Sequence, residues 1–321
     1  MPFDDFNTGA ITRNCVYQGR VFCLGTLTSG IILVYNKDVF DLFGVSYPSA
    51  NEPLSFEEYH HLIIRLTQKS SKLEERIWGG VAAPFYEWVE PGTHFSPDGR
   101  KITGFLNDEA TSKAYQWMAD AYRQGASPSP EEAEQLRQTP LDLLIAGRQA
   151  TILADSASVV PILEQSGIRW GCAIVPAEQK GDAKWSSNRT DGLGVTITSP
   201  RPDEALDFLI YFASHGNRLR LEQGGMPLNM RLAEQWASGS EERRQVFEAL
   251  RYSRPYPLIP GFAEASQLIW QAWAEMTEKD IPAKKALDGI TSPMQEILDQ
   301  AWKEFESIQP YEFPSQTPLP P

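Results

Sequence analysis

The sequence predicts an α/β protein organised in two lobes. Short apolar runs of strand length alternate with amphipathic helical segments along roughly the first 200 residues, and the remainder of the chain reads almost wholly helical. The 321 residues suffice for two domains of roughly 150 residues each. No run of about 18 consecutive apolar residues occurs, so no segment reads as a membrane-spanning helix.

In chain order, Val21 to Leu24 reads as a short strand and Gly25 to Gly30 as a polar, glycine-bounded crossing. Ile31-Ile-Leu-Val-Tyr35 is a continuous apolar run, the pattern of a strand buried on both faces. Asn36 can cap a helix over Lys37–Phe43, which Gly44 ends. Ser55-Phe-Glu-Glu58 is a capping box opening a helix to about Gln68, with Tyr59, Leu62, Ile63 and Leu66 on one face. Trp78 to Gly104 is loop-rich and aromatic. A helix over Asn107–Arg123 carries the stripe Ala114, Trp117, Met118, Ala121, Tyr122. Pro128 and Pro130 introduce a charged helix ending near Gln138.

Next come a helix over Leu141–Ala146, a strand over Ala150–Leu153, a helix over Ala157–Gln165 and a strand over Trp170–Val175. A polar loop from Gln179 to Asn188 leads to a strand over Leu193–Ile197. Pro202–Ser214 reads as a helix whose Asp203 and Glu204 suit its positive end. Further helices fall at about 230–237, 241–251, 263–278 and 292–307, the last opened by Ser292-Pro-Met-Gln295. The proline-rich tail, 309–321, is expected to be disordered.

Charge narrows the function. With 42 acidic and 29 basic side chains the formal charge is −13, and the isoelectric point is near 4.9. That balance disfavours nucleic acid as a partner, since a phosphate backbone needs a basic face, and it disfavours an anionic membrane surface. Cys15, Cys23 and Cys172 form no CxxC. A Cys15–Cys23 bridge is conceivable, but small buried hydrophobes are the better reading. His60 and His61, adjacent on a helix, point about 100° apart and cannot chelate one metal from that face. No HExxH or DxDxDG occurs, so neither a metal nor an organic cofactor is expected. Met1-Pro-Phe-Asp-Asp-Phe6 carries no basic or apolar leader region.

Candidate chemistry is sparse. Gly192-Leu-Gly194 lacks the third glycine of a dinucleotide fingerprint and reads as a tight strand entry. Asp155 and Asp191 both adjoin predicted strand ends, where open α/β sheets place ligand groups. They could be a glycosidase pair, hydrogen-bonding acids or ordinary surface acids. Phe85, Tyr86 and Trp88 crowd a loop, which suits either a binding face or core.

A series of motifs, in order, adds a resemblance. Tyr17-Gln-Gly-Arg-Val-Phe-Cys-Leu-Gly25 followed by Ile31-Ile-Leu-Val-Tyr-Asn-Lys-Asp-Val-Phe40 is similar to G-K-V-Y-G-L-P … L-Y-Y-N-K-D-L-F. Leu54-Ser-Phe-Glu-Glu-Tyr59 stands for T-W-D-E-F, and Ile145-Ala-Gly-Arg-Gln-Ala-Thr151 for F-x-x-G-K-A-A-M. Trp170-Gly-Cys-Ala-Ile-Val-Pro176 stands for W-G-V-A-P-L-P, and Asp191-Gly-Leu-Gly-Val-Thr-Ile197 for G-G-W-G-L-A-I. Pro202 to Phe212 follows P-E-A-A-W-E-F-I-K-F-L, and Gly225-Met-Pro227 the G-x-x-P turn. Together they resemble the family 1 extracellular solute-binding proteins of ABC transporters, the group that includes the maltose-binding proteins. Two sugar-stacking tryptophans of that pattern are absent: Asp155-Ser-Ala157 follows the turn, and Leu193 replaces the tryptophan of G-G-W-G.

The resemblance implies a periplasmic-binding-protein-like fold of two lobes joined at a hinge, the first lobe incomplete. Residues 1–28 and 192–252 would form that partial first lobe, and 29–190 with 253–308 the second. It implies a monomeric, non-enzymatic, periplasmic or extracellular protein that captures a carbohydrate between its lobes and delivers it to a permease. Ser29, Phe85, Asp155 and Ser156 are the foremost contacts it implies, with Trp88, Asp191, Gly192 and Phe262 behind them. The alternatives are a glycoside hydrolase using Asp155 and Asp191, or a remnant that binds no ligand. The family has strand–helix units and a signal peptide before the G-K-V-Y-G-L-P strand. Their absence here leads to the expectation of a truncated product whose first lobe, an open parallel sheet, is deficient, leaving unpaired strands, an exposed apolar patch and weak ligand affinity.

Overall fold

One strand organises the chain. The computed structural model describes residues 15–17, 20–84, 94–177, 186–251, 253–255 and 259–307. After a small antiparallel hairpin, β1 (Val16–Tyr17) and β2 (Arg20–Val21), comes β3 (Thr28–Asn36), nine residues of which eight are buried. Its alternation divides the core. Leu33 faces one hydrophobic cluster while Ile32 and Val34 face another, as the two-residue period of a strand requires. The apolar run read as buried on both faces is buried on both faces.

Asn36 turns the chain from β3 into α1 (Lys37–Phe43): its side chain accepts from the backbone N–H of Asp38 and Val39, and Gly44 ends the helix at φ 62°. Ser55 and Glu58 form the expected capping box at the start of α2 (Phe56–Arg65). Gly79 allows the segment after Trp78 to press on this helix, since a Cβ there would lie 1.7 Å from the Ile63 carbonyl oxygen. Gly79→Ala is therefore expected to destabilise the protein by about 1–3 kcal/mol, as overpacking does. A wild-type urea midpoint for that variant would disprove the close approach.

The chain continues through α3 (Glu109–Arg123), capped by Asp108, then α4 (Pro130–Leu136) and α5 (Pro140–Ile145), each opened by a capping box and a proline. The strand β4 (Thr151–Asp155) runs straight into α6 (Ser156–Ser166), and β5 (Trp170–Ala173) comes after it. Then come β6 (Ser186–Thr190), α7 (Pro202–Glu222), α8 (Met230–Ala237), α9 (Glu241–Leu250) and β7 (Ser253–Pro255). The chain closes with α10 (Phe262–Glu278) and α11 (Ala283–Ser307).

The C-terminal half of β3 pairs with β4 on one side and β5 on the other, and its first three residues pair with β6, all antiparallel. Among the described strands only β6–β7 is parallel. Helices α2, α3, α10 and α11 cover the face of Leu33; α6, α8 and α9 cover the face of Ile32 and Val34.

The packing corrects several sequence-based boundaries. Helices α8 and α9 were expected in the first lobe, within 192–252, yet Ala233, Trp236, Val246 and Leu250 share a core with Ile32, Val34 and Trp170 of the sheet. The predicted strand over Leu193–Ile197 reduces to a single bridge between Leu193 and Leu24, which also stands in for the strand read over Val21–Leu24. The last helix begins at Ala283 rather than Ser292 and passes through Pro293, while Gln295 accepts from the Ile102 N–H (3.0 Å) instead of closing a cap. Helix α7 runs eight residues beyond the expected Ser214. Leu206, Phe208, Ile210 and Tyr211 on it are exposed, with Leu193 and Ile197. The tail 309–321 lies outside the described residues.

Candidate functional site

Three of the eight sequence-predicted residues meet where β3 begins and β4 ends. Pairing Ile31 with Asp155 sets the end of β4 beside the start of β3. The Ser29 hydroxyl, buried, donates to Asp155 Oδ2 at 2.8 Å across 126 residues of sequence. The other oxygen, Asp155 Oδ1, accepts from the backbone N–H of Ala157 (3.0 Å) and Ser158 (3.3 Å), so the same carboxylate caps α6. Ser156 Oγ accepts from the Gly30 N–H at 3.3 Å. The result is a fixed polar cluster on the positive end of a helix, suited to holding hydroxyl groups by hydrogen bonding.

A cavity of about 140 Å³ adjoins this cluster, lined by Thr28, Ser156, Arg220, Gly224, Met226 and Trp236. The Gly225-Met226-Pro227 turn reaches it because Pro227 bridges Leu27 and the Leu228 N–H donates to the Thr26 carbonyl at 3.2 Å. Trp236 Nε1 steadies the turn by donating to the Gly224 carbonyl at 2.6 Å. Thr28, Arg220 and Met226 line this cavity and were not among the residues singled out in the sequence. The turn motif was their only sequence signal, since nothing local shows that residues 220–227 return to the crossing.

The remaining candidates fall elsewhere. Asp191 is exposed and lies just past Thr190, which pairs with Thr28. Its backbone opposes Gly25, where a Cβ would come 2.0 Å from the Asp191 carbonyl oxygen. Gly25 lies six residues before Asp155's partner Ile31, up to about 20 Å of extended chain, whereas a glycosidase pair is held closer, within about 10 Å. Gly192 lacks room for a side chain beside Cys23, and Gly194 beside the Phe22 carbonyl. The GxG thus serves the close crossing at Leu24–Leu193, as a tight strand entry would. Phe262 packs edge-to-face on Phe95, with ring centroids 5.4 Å apart. No described contact joins it to Ser29, Asp155 or Ser156. Phe85 and Trp88 lie outside the described residues.

A larger groove, about 890 Å³, opens near Trp170, and its charges are mutually satisfied: Lys37 pairs with Glu242 at 2.9 Å and Arg243 with Glu164 at 2.5 Å. Volume alone would favour it, but the smaller cavity has the polar cluster and the motif turn beside it. Among the described residues no three His, Cys, Asp or Glu side chains are grouped to hold a metal ion.

A family model described as bacterial extracellular solute-binding protein matches residues 3–221. The chain belongs to that family. A sequence comparison with curated proteins finds no match. Among solved structures, this solute-binding protein is similar to an ABC substrate-binding protein from Listeria monocytogenes in complex with cycloalternan. The TM-score is 0.76 at 20% identity, over 93% of this chain and 77% of that one. A cyclic α-maltosyl-1,6-maltose binding protein from Arthrobacter globiformis gives 0.69 at 16% identity, over 94% and 78%. A solute-binding protein from Thermotoga lettingae bound with α-D-tagatose gives 0.69 at 16%, over 88% and 74%. At these identities the likeness establishes the fold, which for this solute-binding protein is the periplasmic-binding-protein-like one expected.

Proposed function

We propose that this solute-binding protein captures a carbohydrate at the Ser29–Asp155–Ser156 cluster and delivers it to an ABC permease outside the cytoplasmic membrane. It does so as a monomer and without chemistry on the ligand. The observation that carries the proposal is the cluster itself: a buried serine, a carboxylate and a second serine locked together at the crossing. Sugars offer hydroxyl rims that such groups bind. The ligands of the solved relatives, a cycloalternan, a cyclic maltosyl-maltose and a tagatose, support the same class. The cavity of about 140 Å³ takes part of a sugar rather than the whole of one. The rest of the contact surface would come from the facing lobe on closure, and the aromatic segment holding Phe85 and Trp88 is the candidate for ring stacking.

Thermal shift against a panel of mono- and oligosaccharides tests the reading. A binder present at 100 times its dissociation constant should stabilise the protein by about 2.7 kcal/mol, and no shift with any sugar would overturn it. Asp155→Asn separates binding from capping. Asparagine still caps α6, so stability should change by only about 0.5 kcal/mol. Ligand affinity should fall by about 1–3 kcal/mol through loss of the charged acceptor. Equal affinity for the variant and the wild type would remove Asp155 from the site. Turnover of a chromogenic glycoside would favour the hydrolase reading instead, though the spacing of Asp155 and Asp191 along the strands gives that reading no support.

A further inference from the structure

Two of the three cysteines converge on one glycine. The Phe22 N–H donates to the Cys15 carbonyl at 2.7 Å, continuing the β1–β2 hairpin by one step and bringing Cys15 alongside Cys23. Where a Cβ on Gly192 would stand, Cys23 Sγ is 2.4 Å away and Cys15 Sγ 3.5 Å. Both sulfurs therefore lie over the same α-carbon, and the two side chains hydrogen-bond to each other. Cys15 is buried, whereas Cys23 is half-buried. Cys172 sits in β5, buried between the sheet and α9, with Ile32 and Val34 in its cluster. It belongs to a different part of the core and cannot compete.

We propose that Cys15 and Cys23 form an intramolecular disulfide when the protein meets a disulfide oxidant, fastening the hairpin over the Gly192 crossing. An extracellular family is one in which such an oxidant is met and the bond persists. The reaction is two exchanges. The Cys23 thiolate, the more accessible, attacks one sulfur of oxidised glutathione, forming a mixed disulfide and expelling one glutathione thiolate. The Cys15 thiolate then attacks Cys23 Sγ and expels the second. Two protein thiols have lost two protons and two electrons, and the oxidant has become two thiols. Burial, reinforced by the neighbouring Cys23, pushes the Cys15 thiol up to about 12, which fits it to the second role rather than the first.

Gly192 gains a purpose from this. Any side chain at that position would occupy the space through which the sulfurs meet. The proposal is independent of which solute the protein binds.

The test uses the full chain. Purified protein is incubated with oxidised glutathione, quenched by alkylation and digested with trypsin without reduction. Arg20 lies between the two cysteines, so trypsin separates peptide 14–20 from peptide 21–37 unless a bond joins them. The expected result is that joined pair, an intact mass lower by two hydrogen atoms, and a fall from three titratable thiols to one in denaturant. Cys172→Ser should leave the joined pair intact, and Cys15→Ala should abolish it. Three thiols persisting, glutathione retained on Cys23 with no link, or a bond involving Cys172 would each overturn the proposal.

Discussion

Trp236→Ala is expected to cost about 3–5 kcal/mol of stability, the range for truncating a buried tryptophan. The ring is only 2% exposed and packs among Ile32, Val34, Val159 and Val246, joining α8 to the sheet face. Its Nε1–H also donates to the Gly224 carbonyl, and the guanidinium of Arg243 lies over the ring, 5.3 Å from its centroid. Alanine leaves a void, strips the carbonyl of its donor and frees the turn at Gly225–Pro227 from its brace. Trp236→Phe keeps most of the packing and should cost less, with about 1 kcal/mol attributable to the hydrogen bond. Urea denaturation of the three proteins measures both steps. A midpoint for Trp236→Ala equal to wild type would show that α8 is not fastened to the sheet through this residue.

Acidification is expected to weaken the fold through His94. The imidazole is buried, with Nε2 3.2 Å from the Tyr115 hydroxyl, and desolvation lowers it to about 3. In the unfolded chain a histidine titrates near 6.5. Between those values the unfolded state binds a proton that the folded state refuses. The contribution is complete above about pH 6.5 and is lost as pH falls, by about 1.4 kcal/mol per pH unit, reaching roughly 4–5 kcal/mol near pH 3. Replacement by glutamine removes the titrating group, so His94→Gln should show a flatter dependence of its urea midpoint between pH 7 and 4. Parallel profiles for variant and wild type would assign the acid sensitivity to other groups.

Much of the fold was legible because its signals are local. Asn36 before Lys37 and Ser55 before Glu58 satisfy helix ends a few residues away, and both act as read. The unbroken Ile31–Tyr35 run could only be a strand covered on both sides. What misled was local chemistry serving a distant partner. Ser292-Pro-Met-Gln295 has the composition of a helix start, yet Gln295 is held by Ile102 and Arg100 and the helix passes through unbroken. An amphipathic helix reveals that it has a buried face but not what covers it, so the packing of α8 and α9 on Ile32 and Val34 was not legible in their own residues. The site obeys the same rule. Ser29 and Asp155 each look ordinary, and only the motif order of the family suggested that residues 126 positions apart act together.

The position of β3 also governs how the chain can be made. Its partners, β4, β5 and β6, lie at 151–155, 170–173 and 186–190, so a ribosome that has just released Asn36 must translate some 150 further residues before the strand is fully paired. At usual elongation rates of about 5–20 residues per second, this leaves Ile31–Tyr35 without its sheet for roughly 8–30 s. Such a segment is apolar, rich in β-branched residues and uncharged, the composition most prone to pairing with a neighbouring nascent chain. Production of this protein should therefore depend on a holding chaperone that binds near residues 31–35, and slowed translation before residue 190 should lower its soluble yield.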